Sequence, residues 1–138
     1  MNDALFDTHA LWQVVLGMAA EQPVLGAGSG AFGVEWLKER EGSDRALDAH
    51  SLYLETLGEL GIAGLLLLGL FLGGVAAATV RLARYDPAAV AGPGAAMAAW
   101  AGHAGLDWDW EMPALTLPVL ALAGATIAAA EVSRRRAG

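Results

Sequence analysis

The residues best suited to chemistry lie in one stretch, Asp48-Ala49-His50-Ser51-Leu52-Tyr53-Leu54-Glu55-Thr56-Leu57-Gly58-Glu59-Leu60-Gly61. At helical spacing, His50, Tyr53, Leu54 and Leu57 share one face, while Ser51, Glu55 and Glu59 share another. A histidine at the outer end of an apolar helix, beside a polar loop, can act as a general base or hold a phosphate as the imidazolium. The more ordinary role of such a histidine is to hydrogen-bond its surroundings. The residues alone leave both readings open.

A second group surrounds His103, with Trp100 three positions before it and Asp107 four after. An ionisable residue in an apolar segment is a functional candidate by default. Equally, a His103–Asp107 pair would fix one helix against another. Asp107, Asp109 and Glu111 have the chemistry to bind sugar hydroxyls or, weakly, a divalent cation, although solvated loop acids are the commoner case. Trp108 and Trp110 suit either stacking on a sugar ring or anchoring at the headgroup level.

The cluster Gly26-Ala27-Gly28-Ser29-Gly30-Ala31-Phe32-Gly33 invites a dinucleotide reading, because Asp48 lies twenty positions after Gly28. That fingerprint needs a strand before it and a βαβ unit around it. Only Val24 and Leu25 precede it, directly after Pro23. A flexible turn is the better reading, with backbone N–H groups that could still hold a phosphate oxygen.

The elements that must position these residues are helical. Leu11, Val14, Val15 and Met18 recur at helical spacing, so Ala10–Glu21 reads as an amphipathic helix ended by Pro23. A polar stretch runs from Lys38 to Asp48, after which a helix begins near His50, with Asp48 as its N-cap, and continues into an apolar run. Leu60–Val80 holds no charge before Arg81 and is long enough, at about 1.5 Å per residue, to cross a bilayer core of roughly 30 Å. Ala88–Leu106 and Pro113–Ala130 read as two further spans. Between the first two lies the turn Tyr85-Asp86-Pro87, whose proline suits a helix start. Gly69 with Gly73, and Ala91 with Ala95 and Ala99, form small-residue stripes that suit close helix packing.

Composition agrees. The 138 residues are 56% hydrophobic and 17% charged, with a mean hydropathy of +0.46, more apolar than a soluble domain. The chain has no cysteine, so disulfides and thiolate metal sites are excluded. Apart from the terminal arginine triplet there is no basic patch, which argues against nucleic acid. The first residues carry Asp3 and Asp7 and no Lys or Arg, unlike a signal peptide.

Charge sets an orientation. Arg81 and Arg84 follow the first span, and Arg134, Arg135 and Arg136 follow the third, so both ends are expected to be cytoplasmic. The acidic link Asp107–Glu111 and the region before Leu60 then lie outside. The expected architecture is an all-α, polytopic membrane protein fragment. Residues 1–59 form an extracytoplasmic, periplasmic loop region with short helices, residues 60–133 carry about three transmembrane helices, and 134–138 form a cytoplasmic tail. Moving 59 residues across a membrane without a preceding span is difficult, so upstream transmembrane helices are expected to be missing from the sequence.

The ordered set of motifs resembles the O-antigen ligase and O-antigen polymerase family of membrane proteins. Leu11-Trp12, followed by Gln22-Pro23-Val24-Leu25-Gly26-Ala27-Gly28-Ser29-Gly30-Ala31-Phe32, is similar to that family's tryptophan helix, proline and glycine-rich turn. His50-Ser51-Leu52-Tyr53-Leu54-Glu55, with Glu59 and Gly61, is similar to its histidine motif at the end of the large periplasmic loop. Gly102-His103-Ala104-Gly105-Leu106-Asp107-Trp108-Asp109-Trp110-Glu111-Met112-Pro113 looks like actinobacterial members. The likeness covers almost the whole chain but only the C-terminal part of the family's architecture.

The resemblance implies transfer of a glycan from an undecaprenyl-pyrophosphate carrier to a glycan or lipid acceptor, at the outer face of the bacterial inner membrane. It implies His50 in acceptor activation and arginines at the pyrophosphate, with Arg45, Tyr53, Glu55, His103, Asp107, Trp108 and Asp109 as candidate substrate-binding residues. Membrane lipid and the upstream helices are the other expected partners, and the implied reaction requires no metal or other cofactor. The family usually has an arginine four positions before the tryptophan, where this chain has Thr8, with His9 beside it; Arg40 and Arg45 match no motif position. A polysaccharide polymerase, or a truncated and non-catalytic membrane protein, are the alternative readings.

Overall fold

In a computed structural model, residues 8–39 and 46–137 are described, and among them five α-helices and one 3-10 turn form with no strand. The helices are α1 (Thr8–Glu21), α2 (Ala31–Glu39), α3 (Leu52–Ala83), α4 (Pro87–His103) and α5 (Pro113–Ala137), with the 3-10 turn at Asp109–Glu111. The described residues divide into two compact units. One holds the chain through Leu67 together with Ala104–Trp108; the other holds Leu68–His103 and the chain from Asp109 onward. Without a strand before the glycine cluster, the dinucleotide reading has no βαβ unit to rest on.

In the first unit, α1 buries Leu11, Val14, Val15 and Met18, the stripe that its periodicity predicts. These residues pack with Phe32 and Trp36 of α2 and with Ala46 and Ala49 of the following segment. Full burial of side chains such as Leu11, Val15 and Phe32 is worth roughly 1.5–3 kcal/mol each. Helix α2 corrects the sequence reading, in which Ala31–Gly33 belong to a flexible turn and a polar stretch begins at Lys38. Phe32 and Trp36 lie one helical turn apart, with stacked rings 6.5 Å between centroids, and supply the apolar face that makes this short helix.

Helix α3 corrects two more details. Its N-cap is Ser51, whose Oγ accepts the Leu54 amide at 3.5 Å, rather than Asp48. It also does not run straight into the apolar segment, because Gly61 adopts φ 64°, ψ −163° and kinks it. Beyond the kink the helix is apolar and continues to Ala83.

In the second unit, the later part of α3 packs with α4 and α5 in two layers. Val75, Met97 and Ala123 form one layer; Ala78, Leu82, Val90 and Ala130 form the other. Asp86 caps α4 through the Ala89 amide at 3.0 Å, and Pro87 opens the helix as predicted. The close approach between α3 and α4 uses Gly94 against Thr79, where a Cβ would lie 3.3 Å from the threonine methyl. The expected packing stripes are not used here: Gly69 and Gly73 face open space, and Ala91, Ala95 and Ala99 are exposed.

Two helices, α3 and α5, are long and apolar enough to cross a membrane. Only 17% of the most apolar stretch of each is buried, whereas a soluble core helix is mostly buried. Leu66, Leu67, Leu70 and Leu117 are each more than 60% exposed. Surfaces of this kind mark a membrane protein. Helix α4 is shorter, 17 residues, and stops at His103 rather than at Leu106. Helix α5 runs through the arginine triplet, where Glu131 pairs with Arg134 at 2.8 Å and Arg135 at 2.9 Å.

Candidate functional site

The site in the first unit starts from the glycine-rich turn. Ala27 and Gly28 donate their amides to the carbonyls of Gly58 and Glu59, at 3.0 and 2.9 Å. In return, Ile62 and Ala63 donate to Pro23 and Val24, at 2.9 and 3.1 Å. The turn and the α3 kink are therefore joined backbone to backbone, which satisfies groups that the kink would otherwise orphan. Gly26 (φ 69°) and Gly61 (φ 64°) make this possible: a Cβ on Gly26 would overlap the Glu59 carbonyl, and one on Gly61 the Val24 carbonyl. With the Gly26 and Ala31 amides bonded to Gln22 and Gly28, most of the cluster's donors serve the fold rather than a phosphate nest.

The polar stripe of α3 lies inside this arrangement. Ser51, Glu55 and Glu59 are 2%, 8% and 9% exposed. Glu59 Oε1 accepts the Phe32 amide at 3.1 Å and so caps the start of α2. Glu55 Oε2 accepts the Ala49 amide at 2.8 Å. The Ala49 carbonyl accepts Trp12 Nε1–H at 3.2 Å. Ala49 is thus gripped on both sides of its backbone, immediately before His50.

His50 adopts φ 53°, the left-handed region, and is the positive-φ non-glycine residue among those described. Such a conformation is costly for a side chain with a Cβ and persists when the surroundings over-determine it. The surroundings here are Asp48, whose Oδ1 accepts the His50 amide at 3.2 Å and lies 3.0 Å from ring Nδ1. The side chains of His50 and Asp48 are 23% and 15% exposed. Tyr53 stands partly exposed on the first turn of α3. The Leu52 amide, an orphan donor at the helix start, is taken by the Ala104 carbonyl at 2.8 Å. This brings the loop carrying Asp107 and Trp108 into the same unit as His50. Arg45 and Arg40 lie outside the described residues.

In the second unit, His103 pairs with Asp109, Nδ1 to Oδ2 at 2.7 Å, and not with Asp107 as its i+4 spacing suggested. Helix α4 ends at His103, so the helical geometry that would align residue 107 is absent. Asp107 instead accepts the amide of Trp108 at 2.8 Å. Thr116 ties the two tryptophans of this unit together: its hydroxyl accepts Trp100 Nε1–H at 3.3 Å and donates to the Trp110 carbonyl. An apolar cleft of about 360 Å³, lined by Phe71, Met97, Trp100 and Leu120 among others, offers hydrophobic volume and little polar chemistry.

Among the described residues no group of three or more His, Cys, Asp or Glu is arranged to hold a metal ion. The residue that sequence reasoning missed is Asp48. Its position before α3 predicts a helix cap, yet it contacts both the backbone and the ring of His50. The D-x-H spacing was its only signal, since an aspartate commonly bonds the amide two residues on.

Residues 9–69, under half of the chain, match the family model described as O-antigen ligase. The matched segment runs from α1 into α3 and includes Trp12, the glycine turn, His50, Glu55, Glu59 and the Gly61 kink. No curated protein and no solved structure matches. The chain is consistent with an O-antigen ligase-like member, as its motifs imply, and its two apolar helices fit a membrane protein.

Proposed function

We propose that this chain carries the histidine end of a glycan-transferring site, the C-terminal part of an O-antigen ligase-like enzyme acting at the outer face of a bacterial inner membrane. The observation that carries the reading is His50. It is held in a left-handed conformation within the family-matched segment, and the residues beside it are fixed by Trp12, Glu55 and Asp48.

In the proposed reaction an acceptor sugar hydroxyl attacks the anomeric carbon of a glycan carried on undecaprenyl pyrophosphate. His50 takes the hydroxyl proton as the new C–O bond forms. The bond from the anomeric carbon to the pyrophosphate oxygen breaks, and the carrier leaves with its charge to be neutralised by cations. Arg45 is one such cation on this chain; Thr8, at the start of α1, cannot serve. Tyr53, Asp107 and Trp108, in the same unit as His50, are proposed to contact sugar, with His103 and Asp109 as a further polar pair.

The orientation follows from charge. Arginines at the ends of α3 and α5 favour the cytoplasm, and the acidic link Asp107–Glu111 favours the exterior. Ligation and polymerisation use the same chemistry and differ in the acceptor.

The test is His50→Ala in the full-length protein, assayed with a lipid-linked glycan donor in membranes. Loss of transfer with unchanged protein level is the expected result. Retained transfer overturns the role of His50. Product length separates the two reactions: one addition per acceptor indicates ligation, and a ladder indicates polymerisation.

A further inference from the structure

We infer that Asp48 is the positioning residue for His50, fixing the ring's tautomer and orientation so that Nε2 is the proton-accepting nitrogen. This rests on the transferase reading above and adds to it a second residue with a defined role.

One carboxylate oxygen contacts the same residue twice. Asp48 Oδ1 lies 3.2 Å from the His50 amide nitrogen and 3.0 Å from Nδ1 of its ring. The first contact is the local turn that aspartate commonly makes with the residue two positions on. The second requires the ring to fold back over that turn, which the left-handed φ of 53° at His50 allows. The backbone between the two residues has no freedom to drift, because the amide of Ala49 is bonded to Glu55 and its carbonyl to Trp12. Glu55 accepts that amide through Oε2, and Asp48 places a carboxylate oxygen at the ring.

The chemistry follows from the contact. A carboxylate beside Nδ1 favours the neutral tautomer protonated there, which leaves the lone pair on Nε2. Nδ1 is fully buried while the side chain as a whole is 23% exposed, so the exposed part lies elsewhere on the side chain. When Nε2 takes a proton from the acceptor hydroxyl, the imidazolium forms 3.0 Å from an anion that stabilises it. Asp48 holds no proton in this step, as in other carboxylate–histidine pairs. The 3.0 Å contact is not a formed hydrogen bond at Nδ1, and catalytic hydrogen bonds commonly align only when substrate closes on them.

The test uses the full-length protein in lipid nanodiscs with ring-15N histidine. Subtraction of the His50→Gln spectrum assigns the His50 signals. Wild-type protein is expected to show the Nδ1-protonated tautomer; an Nε2-protonated ring overturns the inference without any variant needing to fold. Asp48→Asn keeps an oxygen for the His50 amide but presents an NH2 that can donate to Nδ1. It is expected to reverse the tautomer and lower kcat by roughly 10²–10⁴-fold, with KM for the donor within about threefold. Near-normal kcat, or lost activity with an unchanged tautomer, overturns the positioning role. If His50→Gln itself retains transfer, the assignment of His50 as the base fails instead, and the tautomer measurement still decides the Asp48–His50 relation.

Discussion

Glu59 and Phe32 are joined by a charged helix cap that crosses between elements. The carboxylate of Glu59, on the first segment of α3, accepts the amide of the second residue of α2 at 3.1 Å. Glu59 is 9% exposed and Phe32 is fully buried, so water does not substitute for either partner.

Replacing Glu59 with Leu therefore leaves a buried N–H unsatisfied. The expected cost is about 1–3 kcal/mol, read as a lowered unfolding temperature of the purified full-length protein in detergent. Glu59→Gln retains an acceptor oxygen and is expected to lose less. Equal loss in the two variants would show that charge, rather than the cap, is what matters.

The kink makes a sharper demand. Gly61→Ala places a Cβ against the Val24 carbonyl at φ 64°, ψ −163°, a region essentially reserved for glycine, which costs about 1–3 kcal/mol for the conformation before any clash. The amides of Ile62 and Ala63 are expected to exchange faster with deuterium as their bonds to Pro23 and Val24 open. Gly69→Ala, on the same helix but facing open space, serves as the control and is expected not to destabilise, gaining at most about 1 kcal/mol from helix propensity. Indifference at position 61 would refute the backbone-to-backbone joint.

Trp12→Phe keeps an aromatic ring in the core and removes only the donor to Ala49. A stability loss of about 1 kcal/mol is expected, together with a fall in transfer rate larger than that loss explains, because Ala49 sets the position of His50. A rate that merely tracks the amount of folded protein would remove Trp12 from the site.

The chain contains no cysteine, so single cysteines report orientation on it directly. In intact cells, Ser29→Cys and Leu106→Cys are expected to react with a membrane-impermeant maleimide. Arg84→Cys and Arg136→Cys are expected to react only after permeabilisation. The reverse pattern would overturn the orientation drawn from charge.

What was legible in the sequence was periodicity. Leu11, Val14, Val15 and Met18 marked α1 and its buried face, and Asp86-Pro87 marked the start of α4. Helix α2 was hidden because a glycine-rich prefix and Gly33 lower helix propensity, and only the Phe32–Trp36 pair argues for it. Ser51, Glu55 and Glu59 were visible as one face, yet a polar stripe ordinarily faces water. Here it is buried because Glu55 and Glu59 meet the amides of Ala49 and Phe32, groups placed by turns rather than by helical spacing. The same limit explains His103. Spacing proposed Asp107, but a helix end turned the chain and offered Asp109 instead.

The bond from the Leu52 amide to the Ala104 carbonyl sets an order of assembly. The start of α3, next to His50, is finished by a backbone group that follows both α3 and α4 in the chain. A ribosome that has just released α3 has made every side chain of the histidine motif, but not the carbonyl that closes its helix start. The helix start beside His50 is therefore completed only after α4 has been synthesised and the chain has returned.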